Sequence, residues 1–203
     1  MELFGRDKLE ARVRRAVGRV LRNYRTNGRR MPPWSKLRKE MIAAVEPELD
    51  RVQTDAIRQM FVRFGDGPAP ASVKSNSRKR ATSFVDDLIR VSKDRWRKIG
   101  PRRSAADVAD WWKQNFGRQR TELIGATEVA IAHTSWEEIA WRELERQGVR
   151  LEGVWKCGKN PCEELCKPMC GKPDKVWRKR FPAGPPSPHP GCNCDIVHKK
   201  VGR

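Results

Sequence analysis

Apolar residues recur three and four positions apart along most of this chain, the spacing that puts them on one face of a helix. Between residues 6 and 25 they are Leu9, Val13, Ala16, Val17, Val20, Leu21 and Tyr24, and the opposite face is almost wholly arginine: Arg6, Arg12, Arg14, Arg15, Arg19 and Arg22. The stretch "NGRRMPP" (27–33) breaks this pattern with glycine and proline. A second helical run is predicted from Trp34 to about Phe64, striped by Leu49, Val52, Ala56, Met60 and Phe64. Pro47 allows a restart within it, because proline suits a first helical turn. "GDGPAPASVKSNSRKRATS" (Gly65 to Ser83) reads as a linker or mobile loop. Helix is expected again from Ser83, where "SFVD" offers a start resembling a capping box, with Phe84, Leu88, Val91 and Ile99 apolar. "GPRRS" interrupts it, and "SAAD" at Ser104 caps a further helix through Trp111, Trp112 and Phe116. A long helical pattern then runs from about Arg118 to Gln147, with Gly148 as its stop. Beyond Val149 the character changes: "VRLEGVWKC" and "CDIVHKK" read as two short strands, an antiparallel pair bracketing what lies between.

The fold class expected is therefore mainly α with a small C-terminal α+β module built on a short antiparallel β hairpin. Four segments follow: a basic helical region over 1–66, the linker over 67–82, a helical bundle over 83–148 and a Cys/His-rich module over 149–203. No internal repeat is visible.

Charge adds a partner class. Over 203 residues, 44 Lys and Arg stand against 25 Asp and Glu, a formal net charge of +19. Such a balance favours polyanions, nucleic acid first and an anionic membrane surface second, and says little about fold. Candidate phosphate contacts are Arg12, Arg15, Arg19 and Arg22 on the first helix, with Arg78, Lys79 and Arg80 and then Arg102 and Arg103 read as loop charges. Any binding through them should be independent of base sequence. The competing reading of the arginine face is a solvated helix surface. Trp96, Trp111, Trp112, Trp136 and Trp141 sit at helical spacing and are expected in the core, where they cannot stack on bases. No apolar run approaches the roughly 18 residues of a membrane span. "MELFGRDKLEARVRR" lacks the apolar region of a secretion signal, so the chain is expected in a reducing cytosol.

That expectation bears on the cysteines, all of which lie between Cys157 and Cys194. In reducing surroundings metal binding is a sharper reading than a disulfide framework. The spacing is Cys157-x4-Cys162-x3-Cys166-x3-Cys170, a gap, then His189-x2-Cys192-x-Cys194. A structural zinc ion wants four soft or borderline donors in a tetrahedron. Cys162 and Cys166 suit one half of such a site, and His189 with Cys192 or Cys194 the other. Which four bind is open at this point, and Cys157 and Cys170 are either bystanders or members of an alternative set. The prolines in "PPSPHPGCNCDIV" stiffen the loop and lower the entropy lost on closing it. A bound ion would also supply much of the folding energy of so small a segment. His133 reads as a packed helical residue, and His198 as a reserve ligand.

Enzyme signatures are missing. "PCEELC" has the look of a zinc-deaminase motif, but His133 is followed by Thr134 and Ser135 with no glutamate two positions on. There is no G-x-S-x-G and no glycine-rich phosphate loop.

From about Asp107 to Val197 the chain resembles the C-terminal domain of the phage Mu F-like head morphogenesis proteins, the minor capsid proteins of tailed phages. The resemblance rests on Thr127 and Glu128 in a helical "ATEVAIA", on Trp155 before the cysteines, on Cys166, Met169 and Gly171 matching Cys-x2-Leu-x-Gly, and on His189, Pro190, Cys192 and Cys194 matching the terminal His-Pro-x-Cys-x-Cys. The departures are a wider Cys162–Cys166 spacing than the usual Cys-x2-Cys, Ala126 in place of an arginine, and no Asp before the first cysteine, where Lys159 and Asn160 stand. The resemblance implies a non-enzymatic part of a virion, placed in the capsid interior near the portal and in the host cytoplasm during assembly. Its implied partners are the portal protein or the major capsid protein and, without sequence preference, viral double-stranded DNA. The competing classes are a zinc-dependent nucleic-acid-binding regulator and, behind it, a metallohydrolase.

Overall fold

A computed structural model of the chain describes residues 6–24, 33–70, 73, 76–185, 189, 192 and 194–202. Most of the expected break at 27–33, the side chain of Arg6, part of the expected linker, and Pro186, Pro188 and Pro190 lie outside the described residues. The elements run α1 (Arg6–Tyr24), α2 (Trp34–Phe64), α3 (Ser77–Lys98), α4 (Ala105–Phe116), α5 (Arg118–Arg146), β1 (Leu151–Lys156), a 3-10 turn (Lys167–Met169), α6 (Asp174–Arg180) and β2 (Asp195–Lys200). The fold is mainly α, with one antiparallel strand pair near the carboxyl terminus.

The chain forms two compact units, each discontinuous in sequence. The helical unit comprises Gly5–Asp50 and Asn76–Gly125, and the mixed unit Arg51–Ser75 and Ala126–Arg203 together with the first four residues. The boundaries cut within α2 and α5, so each long helix serves both cores in turn. Composition cannot show such a division, because the apolar stripe continues across it.

In the helical unit the apolar stripe of α1 is buried as its spacing predicts: Val13, Ala16, Val17, Val20, Leu21 and Tyr24 are all core residues. Leu37, Met41, Val45 and Leu49 of α2 are nearly inaccessible as well. The Trp111 ring packs edge-on against Trp34 and Trp96, with centroids 6.1 and 4.7 Å away, and its indole N–H donates to the Ser92 carbonyl at 3.1 Å. Trp96, Trp111, Trp136 and Trp141 are buried, so these rings offer no exposed face to a base, whereas Trp112 departs from the expectation and is only half-buried, packed on Phe116. Ser104 caps α4 in a full capping box: its Oγ accepts from the Asp107 amide at 3.1 Å, and its own amide donates to the Asp107 carboxylate at 2.7 Å.

Two expectations are corrected here. Helix α3 begins at Ser77, six residues before Ser83, so "SFVD" lies inside a helix and Arg78, Lys79 and Arg80 occupy its first turn, not a loop. Nothing after Pro70 breaks a helix, and Ser77 is buried with its hydroxyl donating to Asp50 at 3.3 Å, a long-range contact that sets the start. Helix α2 also runs through Pro47 without restarting.

In the mixed unit, β1 and β2 pair antiparallel from Leu151↔Lys200 to Lys156↔Asp195. One core gathers Ala56, Ile57, Met60, Phe61 and Phe64 of α2 with Trp136, Ala140, Trp141 and Leu144 of α5 and Leu151 of β1. A second is small and sulfur-rich: Trp155, Cys166, Met169, Trp177, Cys192, Cys194 and Ile196.

Candidate metal centre

The sulfur-rich core is assembled around β1. On the edge away from β2, Trp155 donates its amide to the Lys172 carbonyl at 2.9 Å and accepts from the Gly171 amide at 2.8 Å. Gly171 has φ +73°, a backbone region open to glycine at little cost, which explains the glycine of the Cys-x2-Leu-x-Gly pattern. The chain then enters α6, whose Trp177 is 1% exposed and donates its indole N–H to the Gly153 carbonyl at 2.9 Å. The Trp155 and Trp177 rings meet edge-on at 5.8 Å. Together they make a dry wall against which the cysteines lie.

Cys166 is placed by a tight turn in which its amide and that of Lys167 both donate to the Cys162 carbonyl, at 3.1 and 2.9 Å. From the other end of the segment, the Cys192 amide donates to the His189 carbonyl at 3.3 Å, and Cys194 immediately precedes β2. The sulfurs of Cys166, Cys192 and Cys194 lie within 4.8 Å of one another, and all three residues are buried. The Cys166 sulfur stands 3.7 Å from that of Cys192 and 3.2 Å from the His189 Nε2. In a tetrahedral zinc site with bonds of about 2.3 Å to sulfur and about 2.0 Å to nitrogen, neighbouring sulfurs sit about 3.8 Å apart and sulfur and nitrogen about 3.5 Å. The Cys166–Cys192 and Cys166–His189 edges are already close to those lengths.

The protonation of the trio favours a metal too. The Cys192 thiol hydrogen-bonds to Cys194, whose pKa is lowered to about 5 against the raising effect of burial, with the Gly158 backbone amide also helping. Cys192 is raised, first by that hydrogen bond and then by burial. Cys166 is raised mainly by burial. A buried group of thiols is a soft donor set, and a divalent cation relieves the cost of ionising it.

Of the sequence-predicted ligands, Cys166, Cys192 and Cys194 come together, and His189 stands beside the group, touching it through the Cys166 sulfur. Cys162 is half-buried and packs against the core, but its role is to shape the turn through its carbonyl; it lies outside the three-sulfur group. Cys157 and Cys170 correct the expectation of reduced thiols throughout: they are joined as a disulfide with Cα atoms 5.4 Å apart. The pairing of Gly171 with Trp155 places Cys170 beside the residue that follows β1, and spacing alone does not reveal that neighbour.

The candidate phosphate contacts all belong to the helical unit. Arg15, Arg19, Arg22, Arg78, Lys79 and Arg102 are exposed. Arg12 is exposed but pairs with Glu48 at 3.0 Å, Arg80 is half-buried, and Arg103 lies over the Trp96 ring at 4.3 Å. These last three serve the fold first.

A second group was not anticipated. His133 and Glu137, four apart on α5, meet Asp195 at the start of β2, with donor atoms within 4.8 Å of one another. The signal was the i, i+4 spacing, which acquires meaning only once β2 docks alongside. No family model, no curated protein and no solved structure matches this chain. Among the described residues no helix is long and apolar enough to cross a membrane.

Proposed function

We propose that the chain is a non-catalytic minor head protein of the phage Mu F-like kind. In this reading it acts in the capsid interior near the portal, reaching it through the host cytoplasm, and its carboxyl-terminal module is stapled by a structural zinc ion held by Cys166, His189, Cys192 and Cys194. The single observation that carries the reading is the cysteine–histidine cluster, because it uses the same terminal His-Pro-x-Cys-x-Cys stretch on which the resemblance rests. Four protein donors fill a tetrahedral ion, leaving no position for water or substrate, which suits a docking piece over a catalyst. The exposed Arg15, Arg19 and Arg22 of α1 supply the contact with packaged DNA. Such contacts release counterions and so weaken steeply with salt.

Co-expression with the portal protein and with the major capsid protein of the same phage tests the assignment. Co-purification with either supports it; failure to associate with both, in the zinc-loaded state, removes it. Duplex DNA binding separates it from the runner-up, a zinc-dependent regulator. A lumenal protein binds weakly, indifferently to sequence, and Arg15→Glu, Arg19→Glu and Arg22→Glu each flatten the log–log salt slope by about one. Tight, sequence-selective binding would favour the regulator instead.

A further inference from the structure

Among the described residues, a small cavity in the mixed unit is lined by His133, Glu137, Asp195 and His198, with Gln59 and Arg63 of α2 at its wall. Its free volume is about 10 Å³, room for roughly one water-sized sphere. The His133 Nδ1 lies 3.3 Å from the Glu137 Oε2, and the donor atoms of His133, Glu137 and Asp195 are all within 4.8 Å of one another. The His133–Glu137 distance is that of neighbouring ligands around a single ion with bonds near 2.1 Å, and Asp195 is close enough to be drawn onto the same ion.

An independent observation points the same way. His198 is 3% exposed, its ring is wedged edge-on between Trp141 and Phe64, and its Nε2 has no hydrogen-bond partner. The Glu137 Oε2 accepts no hydrogen bond although Glu137 is 7% exposed, its one close neighbour being the His133 Nδ1 at 3.3 Å. Buried polar atoms left in this state cost free energy unless something satisfies them. An ion in the cavity would meet Glu137 directly, and His198 lines the same cavity just outside the three-donor group.

We propose that His133, Glu137 and Asp195, with His198 as a fourth donor, form a second metal site that binds a first-row divalent cation of the manganese or ferrous class. The donors here are imidazole and carboxylate, harder than the sulfurs of Cys166, Cys192 and Cys194, so the two sites sort metals by softness. They are also joined covalently: Cys194 serves the sulfur cluster and Asp195, the next residue, serves the cavity. Filling the second site would fix the start of β2 from the side opposite the zinc. The rival occupant is the Arg63 guanidinium, which reaches the same cavity and could complete a buried ion-pair network with no metal at all.

The test uses the full chain carrying one equivalent of zinc, titrated with Mn²⁺ and followed by the loss of the free-ion electron paramagnetic resonance signal. One further equivalent should bind. Glu137→Gln and Asp195→Asn should each weaken it at least about tenfold with the far-ultraviolet circular dichroism unchanged. A readout without substitutions guards against misfolding. The chain has three histidines, and substoichiometric Mn²⁺ should broaden the imidazole proton resonances of His133 and His198 at lower occupancy than that of His189, because the paramagnetic effect falls steeply with distance. Arg63→Gln should leave the affinity unchanged or raise it. The proposal is overturned if no Mn²⁺ binds beyond the zinc, if bound Mn²⁺ broadens His189 before His133 and His198 or broadens none of the three, or if folded Glu137→Gln and Asp195→Asn bind it as the parent does.

Discussion

The same substitution at two glycines should have opposite effects. Gly153 lies in the middle of β1, opposite His198, where a Cβ would come within 2.8 and 3.0 Å of two Trp141 ring carbons and 3.0 Å of an Ile196 methyl. The Trp141 ring cannot easily give way. Its indole N–H donates to Glu145 at 2.9 Å, the Arg178 guanidinium lies 4.8 Å from its face, and the His198 ring meets it at 5.0 Å. Overpacking of this kind costs about 1–3 kcal/mol. The reduced freedom of the unfolded chain returns about 0.4–1 kcal/mol, so Gly153→Ala should be destabilising by about 1–2 kcal/mol. Gly18 lies inside α1, where the nearest atom to a new Cβ would be an Arg22 nitrogen at 3.9 Å. There helix propensity dominates, and Gly18→Ala should stabilise by up to about 1 kcal/mol. Hydrogen exchange resolved by peptide reports each unit separately, so a shared unfolding transition need not be assumed. Gly153→Ala should speed exchange in β1 and β2, and Gly18→Ala should slow it in α1. Parent-like protection in Gly153→Ala, or faster exchange in Gly18→Ala, would refute the packing argument.

Ser104→Ala removes the capping box of α4 and should lose about 1 kcal/mol, read as faster exchange over 105–116. Burial lowers the His198 pKa from 6.5 to about 4, so the unfolded chain takes up a proton that the folded chain refuses. This contribution is intact above pH 6.5 and is lost as pH falls from 6.5 towards 4, by about 3 kcal/mol at 1.36 kcal/mol per unit. His198→Gln should therefore show a shallower fall in denaturant stability over that window than the parent, and equal slopes would contradict the burial argument. With Cys157 and Cys170 joined, thiol titration of the oxidised chain under denaturing, chelating conditions should count four thiols, and six would contradict the pairing.

Much of the helical fold is legible because burial of a helix face leaves a three-four rhythm, and the buried residues of α1 and α5 keep it. The strand pair is legible from its short runs of strand-forming residues beyond Gly148, although burial in β1 alternates over Leu151, Gly153 and Trp155, a pattern that Gly153 and Val154 blur in the sequence. The start of α3 is not, because the buried hydroxyl of Ser77 and its contact with Asp50 outweigh a local composition that reads as linker. Pro47 misleads in the other sense, since tertiary packing carries α2 through it. At the metal centre the residue types are readable from sequence and the partners are not. Choosing between Cys162 and Cys166 depends on a turn that points one sulfur inward and uses the other residue's carbonyl as a hub. His133 and Glu137 looked like ordinary helix residues until Asp195 and His198 were placed beside them.

The central claim is that the last forty or so residues are organised by an ion held between Cys166 and the His189–Cys194 stretch. X-ray absorption at the zinc edge of the purified full chain, with metal content measured on the same sample, tests it most directly. The account predicts one zinc per chain beyond any ion in the second cavity, with three sulfurs at about 2.3 Å and one nitrogen at about 2.0 Å. A chain that carries no zinc, or holds it through oxygen and nitrogen alone, would contradict it.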